Sequence, residues 1–158
     1  MDGGGVRTLA SITFLKKLEK ELGVKIHDKF DYFIGTSAGA ISCLGLAVKK
    51  FSTIDLEDIW APRNLKKTMQ SSSWELRLGL LQSNPKYTSI GKREVLTKYF
   101  GDSVLGDSHK PVAALSYDIE KRSPVLFRSY MDADKDISIV DVGDATSAAP
   151  IYYPTAKV

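Results

Sequence analysis

The chain is poor in the residues that build covalent or metal cross-links. Cys43 is the one cysteine among 158 residues. An intrachain disulfide is therefore excluded, and a reducing, cytoplasmic compartment is the simpler expectation. With two histidines, no H-E-x-x-H and no paired cysteines, nothing in the spacing supports a metal site. Long apolar runs are missing as well: the longest, residues 40–48, is too short to span a bilayer, and no signal peptide precedes the first glycines. The formal charge of +3 is too small to argue for a nucleic-acid partner. Neither G-x-x-x-x-G-K-S/T nor G-x-G-x-x-G occurs, so the common phosphate-loop spacings are absent. There is no internal repeat, linker or low-complexity tract. At 43% hydrophobic and 26% charged, the remainder is an ordinary globular composition, long enough for one domain with one core.

What is present centres on residues 30–40. An aromatic and β-branched run, Phe30 to Ile34, reads as a buried strand; it runs into the pentapeptide Gly35-Thr36-Ser37-Ala38-Gly39, and the small apolar residues 38–48 read as a helix. A G-x-S-x-G between a strand and a helix is the context of a nucleophile elbow. Its glycines have a steric role: the turn is sharp, and a side chain at Gly35 or Gly39 would collide with the adjoining strand or helix while Ser37 takes a strained backbone. Ser37 would then stand at a helix N-terminus, where free N–H groups and the helix dipole favour developing negative charge. Cys43, inside that helix, reads as a small packing residue.

The chain opens on a second glycine cluster, Gly3-Gly4-Gly5, followed by Val6 and Arg7. Leu9, Ile12, Leu15, Leu18 and Leu22 then recur at helical spacing, with Gly23 placed as a C-terminal cap. Consecutive glycines opening onto a helix have the form of an anion cradle. An oxyanion hole needs only adjacent N–H groups aimed at one oxygen; a tight turn without ligand is the plainer alternative.

Further along, residues 24–33 are expected to carry the elbow strand. Ser52 or Thr53 caps a helix through Trp60, closed by Pro62. Residues 61–100 are basic, with Arg63, Lys66, Lys67, Arg77, Lys86, Lys92, Arg93 and Lys98 against Glu75 and Glu94, interleaved with Trp74, Leu76, Leu78, Leu80 and Leu81. This segment reads as a solvated, loosely helical insertion with a core-facing stripe, or as a lid that meets an anionic lipid surface. A helix over 90–100 follows, capped by Gly101. Strands over 112–117 and 125–130 flank a hairpin turn, and a short helix over 139–148 stops at Pro150.

A serine hydroxyl needs a base to act as a nucleophile near neutral pH. A Ser-His-Asp arrangement in hydrolase order requires an acid and then a histidine after Ser37. Only His109 follows, in the polar run 107–110, where a solvated surface histidine is the simpler reading. Asp118, Asp141 and Asp144 are candidate carboxylates, and nothing in their spacing selects one. A carboxylate whose pKa is raised by burial could serve directly.

Four blocks together are similar to one family: Asp2 to Arg7, Phe30 to Ala40, Val125 to Tyr130, and Ala145 to Pro150 with Tyr152, Tyr153 and Pro154. In these the chain resembles the patatin-like acyl hydrolases, which include phospholipases A and lysophospholipases. The resemblance implies a single α/β domain of three-layer α/β/α type and a serine esterase acting on lipid esters. It implies a Ser–Asp dyad, with no metal or cofactor. Ser37 takes the place of the nucleophile; Gly3, Gly4, Gly5 and Arg7 fall on the family's oxyanion loop, and the Ala38 amide is the further donor. Two departures stand out. No strand precedes the glycine loop, where position 8 is Thr and Gly is frequent in the family. The family's dyad aspartate lies in a second Asp-Gly-Gly or Asp-Gly-Ala, and none occurs after residue 5. These residues are thus expected to be part of a longer enzyme, inactive alone, with the aspartate beyond Val158. A non-catalytic lipid-surface module on the same fold is the alternative from another class. An acyltransferase using a carrier thioester is a third, for which His109 is a poor partner.

Overall fold

The computed structural model describes residues 1–71 and 85–158; Trp74, Glu75, Leu76, Arg77, Leu78, Leu80 and Leu81, part of the lid expectation, lie outside the described residues. A mixed α/β domain forms around one helix. The chain begins with a 3-10 turn at Gly5–Arg7 and helix α1 at Thr8–Leu22. Ile12 is fully buried, and Leu9, Leu15 and Leu18 pack on the same core. Gly23 ends the helix at φ 66°, donating its N–H to the Glu19 carbonyl at 2.9 Å, which is the left-handed cap its position predicts.

The expected strand over 24–33 starts late. Residues Ile26–Lys29 form a short helix, α2, and strand β1 is Phe33–Thr36. The cause is tertiary: the Glu19 carboxylate accepts the Ile26 N–H at 3.1 Å and the Thr53 hydroxyl at 2.7 Å. One side chain thereby caps α2 and ties it to the start of another helix.

Helix α3, Ser37–Lys49, is buried at every position from Ala38 to Val48. Its small residues make this possible. A Cβ on Gly45 would lie 2.7 Å from the Phe51 ring, closer than packed atoms allow. Cys43 is buried too; burial pushes its thiol up to about 11, which makes it a packing residue and not a thiolate.

Strand β1 pairs in parallel with β2, Val112–Asp118, and β2 pairs antiparallel with β3, Ser123–Arg128, giving a three-stranded sheet in the order β1-β2-β3. The Met1 main chain joins the free side of β1, its amino group donating to Ile34 O at 2.5 Å and its carbonyl accepting from Thr36 N at 3.3 Å. Alternation along β1 buries Phe33 and Gly35, while Ile34 remains 46% exposed and Leu115 of β2 40% exposed.

Helix α4, Thr53–Ile59, carries the anticipated N-cap as a full capping box: Asp55 N–H reaches Ser52 Oγ at 3.2 Å and Ser52 N–H reaches Asp55 Oδ2 at 2.8 Å, so two otherwise orphaned donors are satisfied. Pro62 does not close α4 as expected. It opens α5, Pro62–Thr68, where a missing N–H costs nothing and a fixed φ suits the first helical position. Helix α6 is Ile90–Phe100, as its spacing predicts, and Val95, Leu96 and Phe100 are buried in the core. The hairpin turn is held by Asp118, whose carboxylate accepts the Glu120 and Lys121 N–H groups at 3.0 and 2.9 Å. Helix α7, Ile139–Thr146, ends two residues before the expected 148.

These packing relations set an order of costs. Phe100→Ala is expected to destabilise the fold by about 3–5 kcal/mol through an unfilled cavity, and Ser52→Ala by about 1 kcal/mol through loss of the cap. Urea denaturation of the two variants checks the ranking, and equal midpoints would contradict it.

Candidate active site

The C-terminal end of β1 runs without a loop into α3, and the corner residue is Ser37. Thr36 is extended, at φ −131° and ψ 147°, whereas Ser37 sits at φ 52°. A non-glycine residue in this left-handed region carries strain of about 1–3 kcal/mol, held by its surroundings. Those surroundings are side-chain-free backbone. A Cβ on Gly35 would lie 2.7 Å from Gly39 C and Ala40 N, so strand and helix could not approach so closely with any other residue there. A Cβ on Gly39 would meet Asp2 O at 2.5 Å, and one on Gly3 would meet the Ser37 Cβ at 3.0 Å. The first glycine cluster therefore lies directly against the serine corner, although 30 and more residues separate them in sequence. Gly4 at φ 142° and Gly5 at φ 57° let the chain turn away immediately afterwards.

A cleft of about 440 Å³ opens at this corner, with Gly4, Gly5, Ser37 and Ala38 on one side. Its walls are Ile41 of α3, Ile59 and Trp60 at the end of α4, Leu65 of α5 followed by Met69, and Val95 and Leu96 of α6. Tyr87, Tyr152 and Tyr153 also line it, as do the polar Thr68 and Ser147. The shape and chemistry suit a long apolar group with a polar end near Ser37. Arg7 is placed differently: it is outside this lining, and its N–H is donated to Gly4 O at 3.2 Å.

Two further residues at the site are held by partners distant in sequence. The Ser37 N–H donates to Thr146 Oγ1 at 2.9 Å, and the Thr146 hydroxyl donates to Leu115 O at 2.5 Å. Lys92, read as part of a solvated basic face, is 4% exposed and lines the cleft. Its Nζ lies 2.8 Å from Asp144 Oδ1, donates to Asp144 O at 3.1 Å and stands 4.2 Å over the Tyr153 ring. Burial lowers the Lys92 pKa, and the Asp144 carboxylate opposes that shift. Helical spacing does hold a clue, since positions 92, 95 and 96 fall on one face with Val95 and Leu96.

The candidate carboxylates have other work. Asp144 is buried between Lys92 and Arg93, whose Nη1 is 3.2 Å away, and Asp141 meets Arg93 Nη2 at 2.7 Å. Asp118 holds the hairpin turn, and His109 is exposed, its N–H donated to Ala47 O at 2.8 Å. Among the described residues, no carboxylate or imidazole hydrogen-bonds the Ser37 hydroxyl, and no group of His, Cys, Asp and Glu could hold a metal ion.

The family model described as patatin-like phospholipase matches residues 1–158. A cGAMP-activated phospholipase of Pseudomonas aeruginosa is 32% identical over 99% of this chain and 48% of its own length. Patatin-like protein 1 of Arabidopsis thaliana is 29% identical over 98% of this chain and 42% of its own. The chain thus spans less than half the length of these curated relatives. Among solved structures, the type III effector protein ExoU aligns with 97% of this chain and 38% of its own at 15% identity, with a TM-score of 0.43.

The buried ion pair makes an asymmetric prediction. Asp144→Asn leaves the Lys92 ammonium without a counter-charge and is expected to cost about 3–5 kcal/mol; Lys92→Met costs less, because Arg93 still neutralises Asp144. Between a depressed folded pKa and the ordinary lysine value, the unfolded state binds more protons, so stability rises with pH there. Loss of the Asp144 carboxylate, which holds the Lys92 pKa up, lowers it further, so the variant gains more than the wild type and its deficit narrows on going from pH 7 to 9 in urea denaturation.

Proposed function

Because the chain belongs to the patatin-like phospholipase family, we propose that the whole protein is a lipid acyl hydrolase of phospholipase A or lysophospholipase type, with Ser37 as its nucleophile. The observation that carries this reading is the contact of the glycine loop with the Ser37 corner at the mouth of an apolar cleft. In the proposed reaction, Ser37 Oγ attacks the ester carbonyl carbon while its proton passes to a carboxylate base. The carbonyl oxygen becomes an oxyanion, stabilised by amides of the Gly3, Gly4 and Gly5 loop and of Ala38, at the positive end of α3. Collapse expels the alcohol, which takes the proton, and leaves an acyl-serine. Water, deprotonated by the same carboxylate, then releases the fatty acid and restores the hydroxyl. The base would be the aspartate of a further Asp-Gly-Gly or Asp-Gly-Ala. Ion pairing of Asp144 and Asp141 and the turn role of Asp118 support assigning it to none of these three.

The cleft walls fit the acyl chain. Exposed Val6, Met69, Ile151 and Tyr152, together with exposed Lys66, Lys67 and Lys86, support peripheral contact with an anionic lipid surface. A non-catalytic lipid-surface module would use the same surface without the chemistry.

A fluorophosphonate probe separates the two. The full-length protein is expected to be labelled and to hydrolyse a fatty acyl ester, with Ser37→Ala abolishing both, a loss of at least about 10³-fold; labelling that survives Ser37→Ala would refute the nucleophile assignment. Binding to phosphatidylserine-containing vesicles is expected to weaken as salt rises from 50 to 500 mM. Salt-dependent binding with no hydrolysis would favour the non-catalytic module.

A further inference from the structure

We infer that Thr146 is a positioning residue for the Ser37 corner: its hydroxyl fixes the orientation of the Ser37 peptide and so decides which amides remain to face the cleft. The inference rests on the proposed role of Ser37, but the contact itself is independent of it.

The first N–H groups of a helix have no partner within it. In most helices the preceding side chain supplies one, yet Thr36, which precedes α3, makes no such bond. The acceptor comes instead from 109 residues away, as Thr146 Oγ1 at 2.9 Å from Ser37 N. A threonine hydroxyl carries one proton, and here it is given to Leu115 O at 2.5 Å. With its proton so committed, the oxygen can only accept from Ser37, which gives the link a fixed direction. Thr146 itself is buried, 9% exposed.

The group that holds Ser37 is itself held. The Ser116 hydroxyl donates to Ala145 O at 3.1 Å, Lys92 Nζ to Asp144 O at 3.1 Å and the Ser147 hydroxyl to Gly143 O at 2.6 Å. The last turn of α7 is thereby pinned to β2 and to α6, and Thr146 transmits that position to the left-handed Ser37. Two consequences follow. The Ser37 amide is withdrawn from oxyanion binding, which leaves Ala38 as the α3 donor. The peptide plane that sets the Ser37 Cβ direction cannot rotate without breaking the Ser37 N–H bond to Thr146.

The requirement is for a hydroxyl of this size at this place. Serine retains it; valine keeps the shape and removes it. The test compares full-length wild-type protein with Thr146→Val, Thr146→Ser and Ser37→Ala. It reads fluorophosphonate labelling rate, kcat and KM on a p-nitrophenyl ester, and amide hydrogen exchange of the peptide spanning residues 35–40. Thr146→Val is expected to lower labelling and kcat about 10–100-fold with KM within about twofold, and to speed exchange in that peptide; Thr146→Ser is expected to stay within about threefold of wild type. Thr146→Ala gives the same comparison if the valine variant does not fold. Wild-type exchange and labelling in Thr146→Val would overturn the inference, as would a loss in the serine variant as large as that in the valine variant, because a retained hydroxyl would then not suffice. If the wild type neither labels nor hydrolyses, the proposed function fails, and the exchange comparison alone decides the role of Thr146.

Discussion

A strand that becomes a helix with no intervening loop forces one residue into a backbone conformation that side chains resist, and here that residue is Ser37 at φ 52°. Everything around the corner is shaped by the space this turn needs. Gly35 lets β1 and α3 approach to a distance at which a Cβ would overlap backbone, Gly39 does the same for α3 and the Met1–Asp2 main chain, and Gly3 brings the N-terminal loop against the serine. Such strain persists only where packing over-determines it. The packing is supplied by α3, buried from Ala38 to Val48, with the sheet and the other helices gathered on it.

The same arrangement explains why the cleft is apolar at its walls and polar at one end. Its walls come from core-forming faces of α3, α4, α5 and α6, which are apolar because they also build the domain. Its polar end is main chain: the first turn of α3 and the glycine loop. Hydrogen-bond donors made of backbone need no side-chain ordering to act, so the site is largely preformed by the fold. Lys92 is a buried cation in the wall, tolerated because Asp144 neutralises it and Tyr153 faces it.

The fold was legible in the sequence wherever local signals decide structure. The period of Leu9 to Leu22 with Gly23 located α1, Ser52 marked the start of α4, and the spacing Gly35, Ser37, Gly39 marked the corner. Where partners are distant the sequence misleads. Residues 26–29 became helical because of the Glu19 side chain, and Pro62 reads equally as a stop or as a first helical residue, with only the neighbouring turn to choose between them. The site divides in the same way. Ser37 and the glycines could be named from spacing, but Thr146 meets Leu115 and Ser37 across 31 and 109 residues, and no local pattern encodes that. Lys92 sat among cations that are mostly exposed, and only its phase with Val95 and Leu96 distinguished it.

The central claim is that the glycine loop and the first turn of α3 present amides to one oxygen beside Ser37. The direct measurement is a crystal structure of the full-length protein after reaction with a long-chain phosphonate. The account predicts phosphorus bonded to Ser37 Oγ, the phosphonyl oxygen at about 2.7–3.1 Å from amides of the Gly3–Gly5 loop and Ala38, and the alkyl chain between Ile41 and Leu96. A phosphonyl oxygen directed into solvent, or an adduct on another residue, would contradict it.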